Sequence, residues 1–298
     1  MAQRPFGGIN STGVKLDILA NYVSMYLSAL QNQTWCKKIY FDAFAGSGLV
    51  PLKQDEGGLF GDDLEDTTEL VGSAIRAIES RPPFDRYTFV DKRRKCINAL
   101  EERFGSSPLL SRMNFRCGDA NLMVRELCDN TDWRKHRALV FLDPFGSQVE
   151  WSTIEKIAQT NAIDLWYLFP AGLSVFRQIS NQGTVHETHA PSIDRLFGTE
   201  EWREAFLEPV ETADLFSTQT KYEKKVTPES AAQFMIKRMK SVFSGSVLDY
   251  LIPLGSMPYP KYYLLFASAN PSVKAKALTR RLSKAAVAAT ERKYGGII

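Results

Sequence analysis

The pattern of apolar and polar positions along the chain predicts an alternating α/β fold. Between Gly13 and Gln31 apolar residues recur at helical spacing, which predicts an amphipathic helix. The next segment, KKIYFDAFAGSG, is apolar and ends in two glycines, a pattern typical of a buried strand followed by a tight turn. Further strands are predicted in RYTFVD, NFRCGD, RALVFLDPFG and AIDLWYLFPAG, with amphipathic helices between them. This order indicates a parallel sheet with helices on both faces.

Two segments interrupt this alternation. Residues 51–71 are acidic, contain several glycines and show no periodicity, so we expect an inserted acidic loop. Residues 174–227 mix polar and aromatic positions, and we expect a helical insertion or cap. The remainder follows one pattern, so we predict a single domain over residues 1–298.

The C-terminal part defines the topology of the predicted sheet. Two apolar segments, SVLDYLIPLG and KYYLLFASA, are joined by the short turn SMPYP, and strands so close in sequence can only form an antiparallel hairpin. A mostly parallel, seven-stranded sheet that ends in such a hairpin is the Rossmann-like topology of class I methyltransferases. A nicotinamide-binding Rossmann domain is the less favoured interpretation, because it usually lacks the hairpin.

Composition narrows the function classes only a little. Of the 298 residues 44% are hydrophobic, enough for a sizeable core, and the net charge of +3 gives no general attraction to an acidic partner. We find neither an apolar run of about 20 residues that could span a bilayer nor a secretory signal, so we expect a cytoplasmic protein with no membrane partner. The four cysteines stand singly, and His186 and His189 have no evident third ligand beside them, so we predict no metal.

The first candidate cofactor motif follows the first strand. It reads Asp42-Ala-Phe44-Ala-Gly46-Ser47-Gly48 and falls at the carboxyl edge of the sheet, where loops line a crevice. The two glycines let the backbone turn sharply and approach a ligand closely. The Asp42 carboxylate is a candidate partner for the ammonium group of a methionine moiety. The alternative is an ordinary strand-to-turn junction, which often needs glycine.

Two more acids follow the next two strands. Asp91, followed by Lys92, closes the second strand, where a carboxylate can accept hydrogen bonds from both hydroxyls of a ribose. Asp119 closes the third strand beside Ala120, where a side chain can meet an adenine amino group. Each acid alone could simply cap a helix, but acids at three successive strand ends favour a cofactor that contains adenosine.

The candidate reactive centre, Asp143-Pro144-Phe145-Gly146, follows the fourth strand. The Asp143 carboxylate and the Pro144 carbonyl can accept the hydrogens of an amine and so aim its lone pair at a methyl group. Phe145 offers a flat face on which a planar base can stack. The alternative is a structural turn, since Asp-Pro is common at the ends of strands.

Five motifs in order, FDAFAGSG, FVDKRR, CGDAN, LDPFGS and WYLFPAG, extend over much of the chain. With them the whole chain resembles the three-Cys-motif partner protein (TcmP) family, whose members tend to be encoded beside a protein with a three-cysteine motif. The resemblance implies a fold similar to class I methyltransferases, S-adenosylmethionine as cofactor and the three-cysteine protein as partner. DPFG also resembles a tetrapeptide of methyltransferases that modify base amines, although the more widespread pattern, DPPY, has its aromatic ring where this chain has Gly146.

Two functions are consistent with these motifs. The favoured hypothesis is S-adenosylmethionine-dependent N-methylation of an amine on a base of RNA or DNA. Its phosphate contacts would come from four basic residues of the 174–227 segment: Arg177, Lys221, Lys224 and Lys225. The alternative is a cofactor-binding but non-catalytic accessory subunit of the three-cysteine protein. The basic C-terminal helix, from PSVKAK onward, is either a solvated face or a further phosphate contact.

Overall fold

The computed structural model describes residues 11–51, 69–180, 185, 189–214, 217–256 and 258–294. In these ranges the strands are β1 (Lys37–Asp42), β2 (Leu49–Pro51), β3 (Glu69–Val71), β4 (Arg86–Asp91), β5 (Met113–Cys117), β6 (His136–Leu142), β7 (Ile163–Phe169), β8 (Leu207–Asp214), β9 (Ser217–Lys224), β10 (Ser246–Val247), β11 (Pro253–Leu254) and β12 (Tyr262–Ser268). The α-helices are α1 (Ser11–Leu30), α2 (Ser73–Glu79), α3 (Arg94–Phe104), α4 (Ala120–Asn130), α5 (Trp151–Gln159), α6 (Ala190–Phe197), α7 (Trp202–Phe206), α8 (Pro228–Val242) and α9 (Val273–Lys293). A π-helical turn covers Ala171–Phe176.

The central sheet has the strand order β10-β12-β7-β6-β1-β4-β5, and β11 also pairs with β12. Neighbouring strands from β7 to β5 are parallel, whereas β12 is antiparallel to β7. The penultimate predicted strand is split into β10 and β11, and both pieces pair antiparallel with β12. The predicted fold class, a mostly parallel Rossmann-like sheet with a C-terminal antiparallel hairpin, is confirmed.

Both faces of the sheet are covered, which explains why its central strands are apolar throughout. In β1, Ile39 and Phe41 belong to the core beneath α4, α5 and α8, whereas Tyr40 belongs to the core beneath α1, α2, α3 and α9. β7 is buried along its whole length. Strands enclosed in this way need apolar side chains on both faces, and fully burying a large one stabilises the fold by about 1.5–3 kcal/mol.

The strands β2 and β3 form an antiparallel pair at the base of the predicted acidic loop. Leu49 pairs with Val71, and Pro51 pairs with Glu69. Residues 52–68, the greater part of the predicted 51–71 loop, lie outside the described residues. The pair brings the start of α2 to the first glycine motif, where the Gly72 amide donates to the Gly48 carbonyl at 2.8 Å.

The 174–227 segment is only partly helical. It contains α6 and α7, but its second half forms the antiparallel hairpin β8–β9, in which Leu207 pairs with Lys224. The prediction of a helical insertion is therefore wrong for this half. Exposed polar residues such as Glu208 and Glu223 lie directly opposite each other on one face of the hairpin, so the strands lack the apolar alternation that marks a half-buried strand.

Candidate functional site

The parallel register brings the four predicted acids to one edge of the sheet. Asp42 ends β1, Asp91 ends β4, and Asp143 directly follows β6. Asp119 comes two residues after Cys117, which ends β5 and pairs with Asp91. Because carboxyl ends of parallel strands lie at the same edge, the acids surround one crevice.

The glycine turn after β1 has the backbone geometry that a close ligand needs. Gly46 has φ +60° and Gly48 has φ +83°, values that favour glycine. A Cβ atom on Gly46 would meet nothing within 4 Å, whereas one on Gly48 would lie 3.0 Å from the Leu100 side chain. Gly46 therefore borders open space, and Gly48 permits the packing of the turn against α3.

Asp42 lies beneath this turn, fully buried at 0% exposure. Its carboxylate accepts hydrogen bonds from Ser73 Oγ at 2.5 Å, the Phe44 amide at 3.2 Å and the Tyr40 hydroxyl at 3.4 Å. Burial raises the pKa of Asp42 to about 7. The structure therefore contradicts a direct contact with the ammonium group of a ligand, because the side chain is enclosed. Asp42 instead fixes the partly buried Phe44 and joins the glycine turn to α2.

Asp91 also holds the glycine turn. Its Oδ2 accepts from the Gly46 amide at 3.1 Å, and its Oδ1 accepts from the Arg93 amide at 2.8 Å. The Arg93 guanidinium donates to both oxygens, at 3.1 Å and 3.2 Å, and its pKa is raised chiefly by these hydrogen bonds. A ribose would reach Asp91 only if the half-exposed Arg93 side chain moved away. Lys92 beside them is exposed.

Asp119 is the N-cap of α4. Its Oδ1 accepts from the amides of Asn121 at 2.9 Å and Leu122 at 3.1 Å, so the capping interpretation holds for this acid. The residue is nevertheless exposed at the crevice edge, and Ala120 beside it is partly buried against the core. Its contact with an adenine ring stays a prediction.

Asp143 has a partner that the sequence analysis did not find. The Lys15 ammonium on α1 contacts Asp143 Oδ2, and both side chains are largely buried. The two residues are 128 positions apart, so no local motif connects them. The contact makes α1 part of the wall of the candidate reactive centre.

The turn after Asp143 presents an aromatic ring from a firmly held loop. Pro144 is buried, whereas Phe145 is 73% exposed. The Phe145 amide donates to Gln148 Oε1 at 2.8 Å, and the Gln148 carbonyl accepts from Asn121 Nδ2, also at 2.8 Å. Since Asn121 belongs to α4, these bonds join the backbone of the turn to that helix, and the Phe145 ring remains open to solvent. A planar base could stack on it.

Two further side chains near this turn were missed by the sequence analysis. Ser174 Oγ lies 3.6 Å from the position of a Cβ on Gly146, and it is buried without a hydrogen-bond partner among the described residues. Tyr262 begins β12, and burial together with the neighbouring Asp143 carboxylate raises its pKa. No pattern in the sequence connects either residue with the Asp143 motif.

The predicted phosphate contacts have different environments. Lys224 Nζ donates to the Phe176 carbonyl at 2.6 Å and lies 3.4 Å from the centre of the Phe176 ring. This contact occupies one of the three donors of the ammonium, so the assignment of Lys224 to a phosphate stays a prediction. Arg177 and Lys225 are exposed, and the side chain of Lys221 lies outside the described residues.

Within the described ranges, no group of three His, Cys, Asp or Glu side chains is placed to hold a metal ion, and His186 is not among these residues. None of the helices that the structure describes is long and apolar enough to cross a membrane.

Comparison with known proteins finds similarity only among solved structures. No family model and no curated protein matches the chain. A Legionella pneumophila protein of family-model DUF519 is 11% identical, with a TM-score of 0.46 and 91% of each chain covered. A Clostridium acetobutylicum S-adenosylmethionine-dependent methyltransferase is 10% identical, with a TM-score of 0.37 and coverage of 84% of this chain and 91% of that one. The glycopeptide N-methyltransferase MtfA, solved with S-adenosylhomocysteine, is 11% identical, with a TM-score of 0.30 and coverage of 83% and 89%. By its own strand order, the chain has a class I methyltransferase-like fold.

Proposed function

We propose that this chain binds S-adenosylmethionine at the glycine turn and transfers its methyl group to an amine on a nucleic-acid base. The observation that carries the proposal is the open space beside Gly46, at the same sheet edge as Asp143 and the exposed Phe145 ring. A glycine with positive φ that borders empty space offers its backbone to a ligand. Next to it, Asp143 offers a carboxylate and Phe145 a flat ring to the molecule that accepts the methyl group.

The residues around the crevice fit this cofactor. The open side of Gly46 can accommodate the methionine part, while Asp91 ends the neighbouring strand β4 and the exposed Asp119 follows β5. When bound, S-adenosylmethionine supplies a methyl group on a positively charged sulfur.

The chain's own residues would position the acceptor. An Asp143 oxygen accepts a hydrogen bond from the amine N–H, and Phe145 holds the base by stacking. Lys15 keeps the carboxylate in place by the contact on its other side. Orientation of this kind can supply a large part of the rate enhancement.

Asp143→Ala tests the proposal, because it removes the oxygen that accepts the hydrogen bond from the amine. We expect S-adenosylmethionine affinity, measured by calorimetry, to stay within a few-fold of the parent. Turnover, measured with labelled cofactor and total cellular RNA and DNA, should fall about a hundredfold to a thousandfold. Asp132→Ala is the matched control, in the turn that precedes β6 at the opposite edge of the sheet, and should change neither quantity. A parent protein that binds neither S-adenosylmethionine nor S-adenosylhomocysteine at millimolar concentration would contradict the proposal.

A second candidate function is that of a cofactor-binding accessory subunit of a three-cysteine protein. It is favoured by the contacts that the four acids make within the protein. Asp42 and Asp91 accept hydrogen bonds that hold the glycine turn. Asp119 caps α4, and Asp143 contacts Lys15. Such acids would be needed for folding even without catalysis. The two candidates separate if labelled methyl is transferred to no nucleic acid, with or without the three-cysteine protein, while the cofactor still binds.

A further inference from the structure

An aromatic and cationic cluster lies beside the candidate reactive centre. The rings of Phe176 and Tyr259 stack with centroids 5.2 Å apart and an interplanar angle of 16°. Lys224 lies over Phe176 at 3.4 Å from the ring centre. Tyr222, two residues earlier on β9, lies on the same face of the strand as Lys224. We call these four residues the aromatic platform.

The aromatic platform lies at the carboxyl edge of the sheet. Phe176 ends the π-helical turn that follows β7, and Tyr259 precedes β12, which runs antiparallel to β7. The two segments are joined where the Gly172 amide donates to the Lys261 carbonyl at 3.1 Å. Ser174, within the same turn, lies next to Gly146. The platform is therefore next to the turn that carries Phe145.

The two tyrosines of the platform are exposed. Tyr259 is 56% exposed and Tyr222 is 51% exposed, so neither ring gains the stabilisation of a buried aromatic side chain. Lys224, whose pKa is lowered by burial, contacts Phe176 from the hairpin side. Rings that face water add little to the core, and they are suited to receive another flat group.

The charges around the aromatic platform favour an anionic occupant. Arg177, Lys225 and Lys261, each next to a segment that carries the platform, are exposed. The acidic pair Glu208 and Glu223 lies on the opposite face of the β8–β9 hairpin. On the platform's face, Glu211 is the only acidic residue of this hairpin whose side chain the structure places, and it lies further from Lys224. Flat rings among cations match the unstacked bases and phosphates of a single strand, whereas a duplex keeps its base faces covered.

We propose that the aromatic platform binds bases of a single-stranded nucleic acid next to the base held by Phe145. This inference rests on the proposed function, since it assigns the strand to the same edge as the acceptor site. Tyr259 and Tyr222 provide the faces on which bases stack. Phe176 and Lys224 fix those faces, and Arg177, Lys225 and Lys261 contact phosphates.

Fluorescence anisotropy with short labelled RNA and DNA strands, at one fixed salt concentration, tests the inference. Stacking on an aromatic ring is worth about 1–3 kcal/mol per base, so Tyr259→Ala should weaken binding roughly fivefold to 150-fold. Tyr259→Phe keeps the ring and should bind as the parent does. Trp35→Ala is the matched control, because Trp35 is equally exposed at 51% but precedes β1 at the opposite edge of the sheet.

A strand without bases separates stacking from charge. On an abasic oligonucleotide the parent and Tyr259→Ala should bind equally weakly. The inference is overturned if Tyr259→Ala and Tyr222→Ala bind base-containing strands as tightly as the parent, or if Trp35→Ala loses as much as they do. It is also overturned if the parent binds no single strand, or binds only a peptide or protein at this face. Cofactor affinity is also measured for every variant. If the aromatic platform does not bind single strands but S-adenosylmethionine still binds, this inference is rejected while the proposed cofactor binding is retained.

Discussion

Two acids of the central sheet are buried at opposite edges, Asp42 at the carboxyl end of β1 and Asp164 near the amino end of β7. Asp42 and Asp164 are fully enclosed, and burial raises their pKa values to about 7 and about 6. Asp164 lies in β7 and accepts a hydrogen bond from the Tyr22 hydroxyl on α1 at 2.6 Å. A carboxyl group with a raised pKa in the folded state is a cost to the fold once it ionises.

Asp164→Asn should stabilise the protein at neutral and higher pH. Because burial raises the folded pKa from 3.8 to about 6, the folded state binds more protons in this interval, and the stability of the parent falls as the pH rises through it. Asparagine keeps an oxygen for Tyr22 without a charge. The variant should gain about 1–3 kcal/mol over the parent at pH 8 and little or nothing at pH 4. Urea unfolding over this range is the measurement, and a gain independent of pH would contradict it.

The sequence reveals the residues that follow strands but not their partners. Gly46, Asp91 and Asp119 could be placed at one edge because each lies at or shortly after the end of a predicted strand. Their contacts depend on distant chain segments, so the enclosure of Asp42 by Ser73 and the contact of Asp143 with Lys15 could not be inferred. The exposed ring of Phe145 was expected from its motif alone, because the turn needs only local residues.

At the scale of elements, one buried acid joins three helices. Asp17 on α1 contacts Arg76 on α2, and it accepts from Lys293 and Tyr294, at the end of α9, at 2.6 Å and 2.9 Å. These contacts hold α1 against the sheet face on which Tyr40 lies. The position of Lys15 next to Asp143 depends on this placement.

Asp17→Ala should therefore loosen α1 as a unit. Loss of one partner of a buried ion pair costs about 3–5 kcal/mol, and we expect about 1–3 kcal/mol here because Lys293 is largely exposed. Urea unfolding measures the change. Asp132→Ala, which removes a surface pair with the exposed Arg134, is the control and should leave the transition nearly unchanged. Equal effects of the two substitutions would show that Asp17 is not a structural junction.

The predicted secondary structure agrees with the observed one where at least one face of an element is buried, and it disagrees where both faces are exposed. The strands of the central sheet follow from their apolar runs, and the C-terminal hairpin follows from the short SMPYP connection. Of the β8–β9 side chains that the structure places, only Leu207 packs against a core, and Glu211 and Glu223 are exposed, so the segment carries no apolar period to detect. Hydrogen bonding between its strands, rather than burial, defines this element.

At the scale of the whole molecule, the two hydrophobic cores share one sheet. Trp151 belongs to one core and Trp166 to the other, and the strands between them contribute alternate side chains to both. If the sheet came apart on the side of one core, the residues of the other core would also be exposed to solvent. We expect one unfolding transition, with coincident midpoints by far-ultraviolet circular dichroism and tryptophan fluorescence. Two separated midpoints would mean that the helices of one face unfold independently.

The β2–β3 pair makes the glycine turn insensitive to the length of the chain between its strands. Its ladder from Leu49 to Val71 fixes the distance from the turn to α2 whatever number of residues lies between Pro51 and Glu69. Doubling the length of a flexible connection costs only about 0.6 kcal/mol in closure entropy. A reporter peptide inserted between these strands would therefore lie a few residues from the glycine turn. Its signal would report binding of the proposed cofactor without altering the turn.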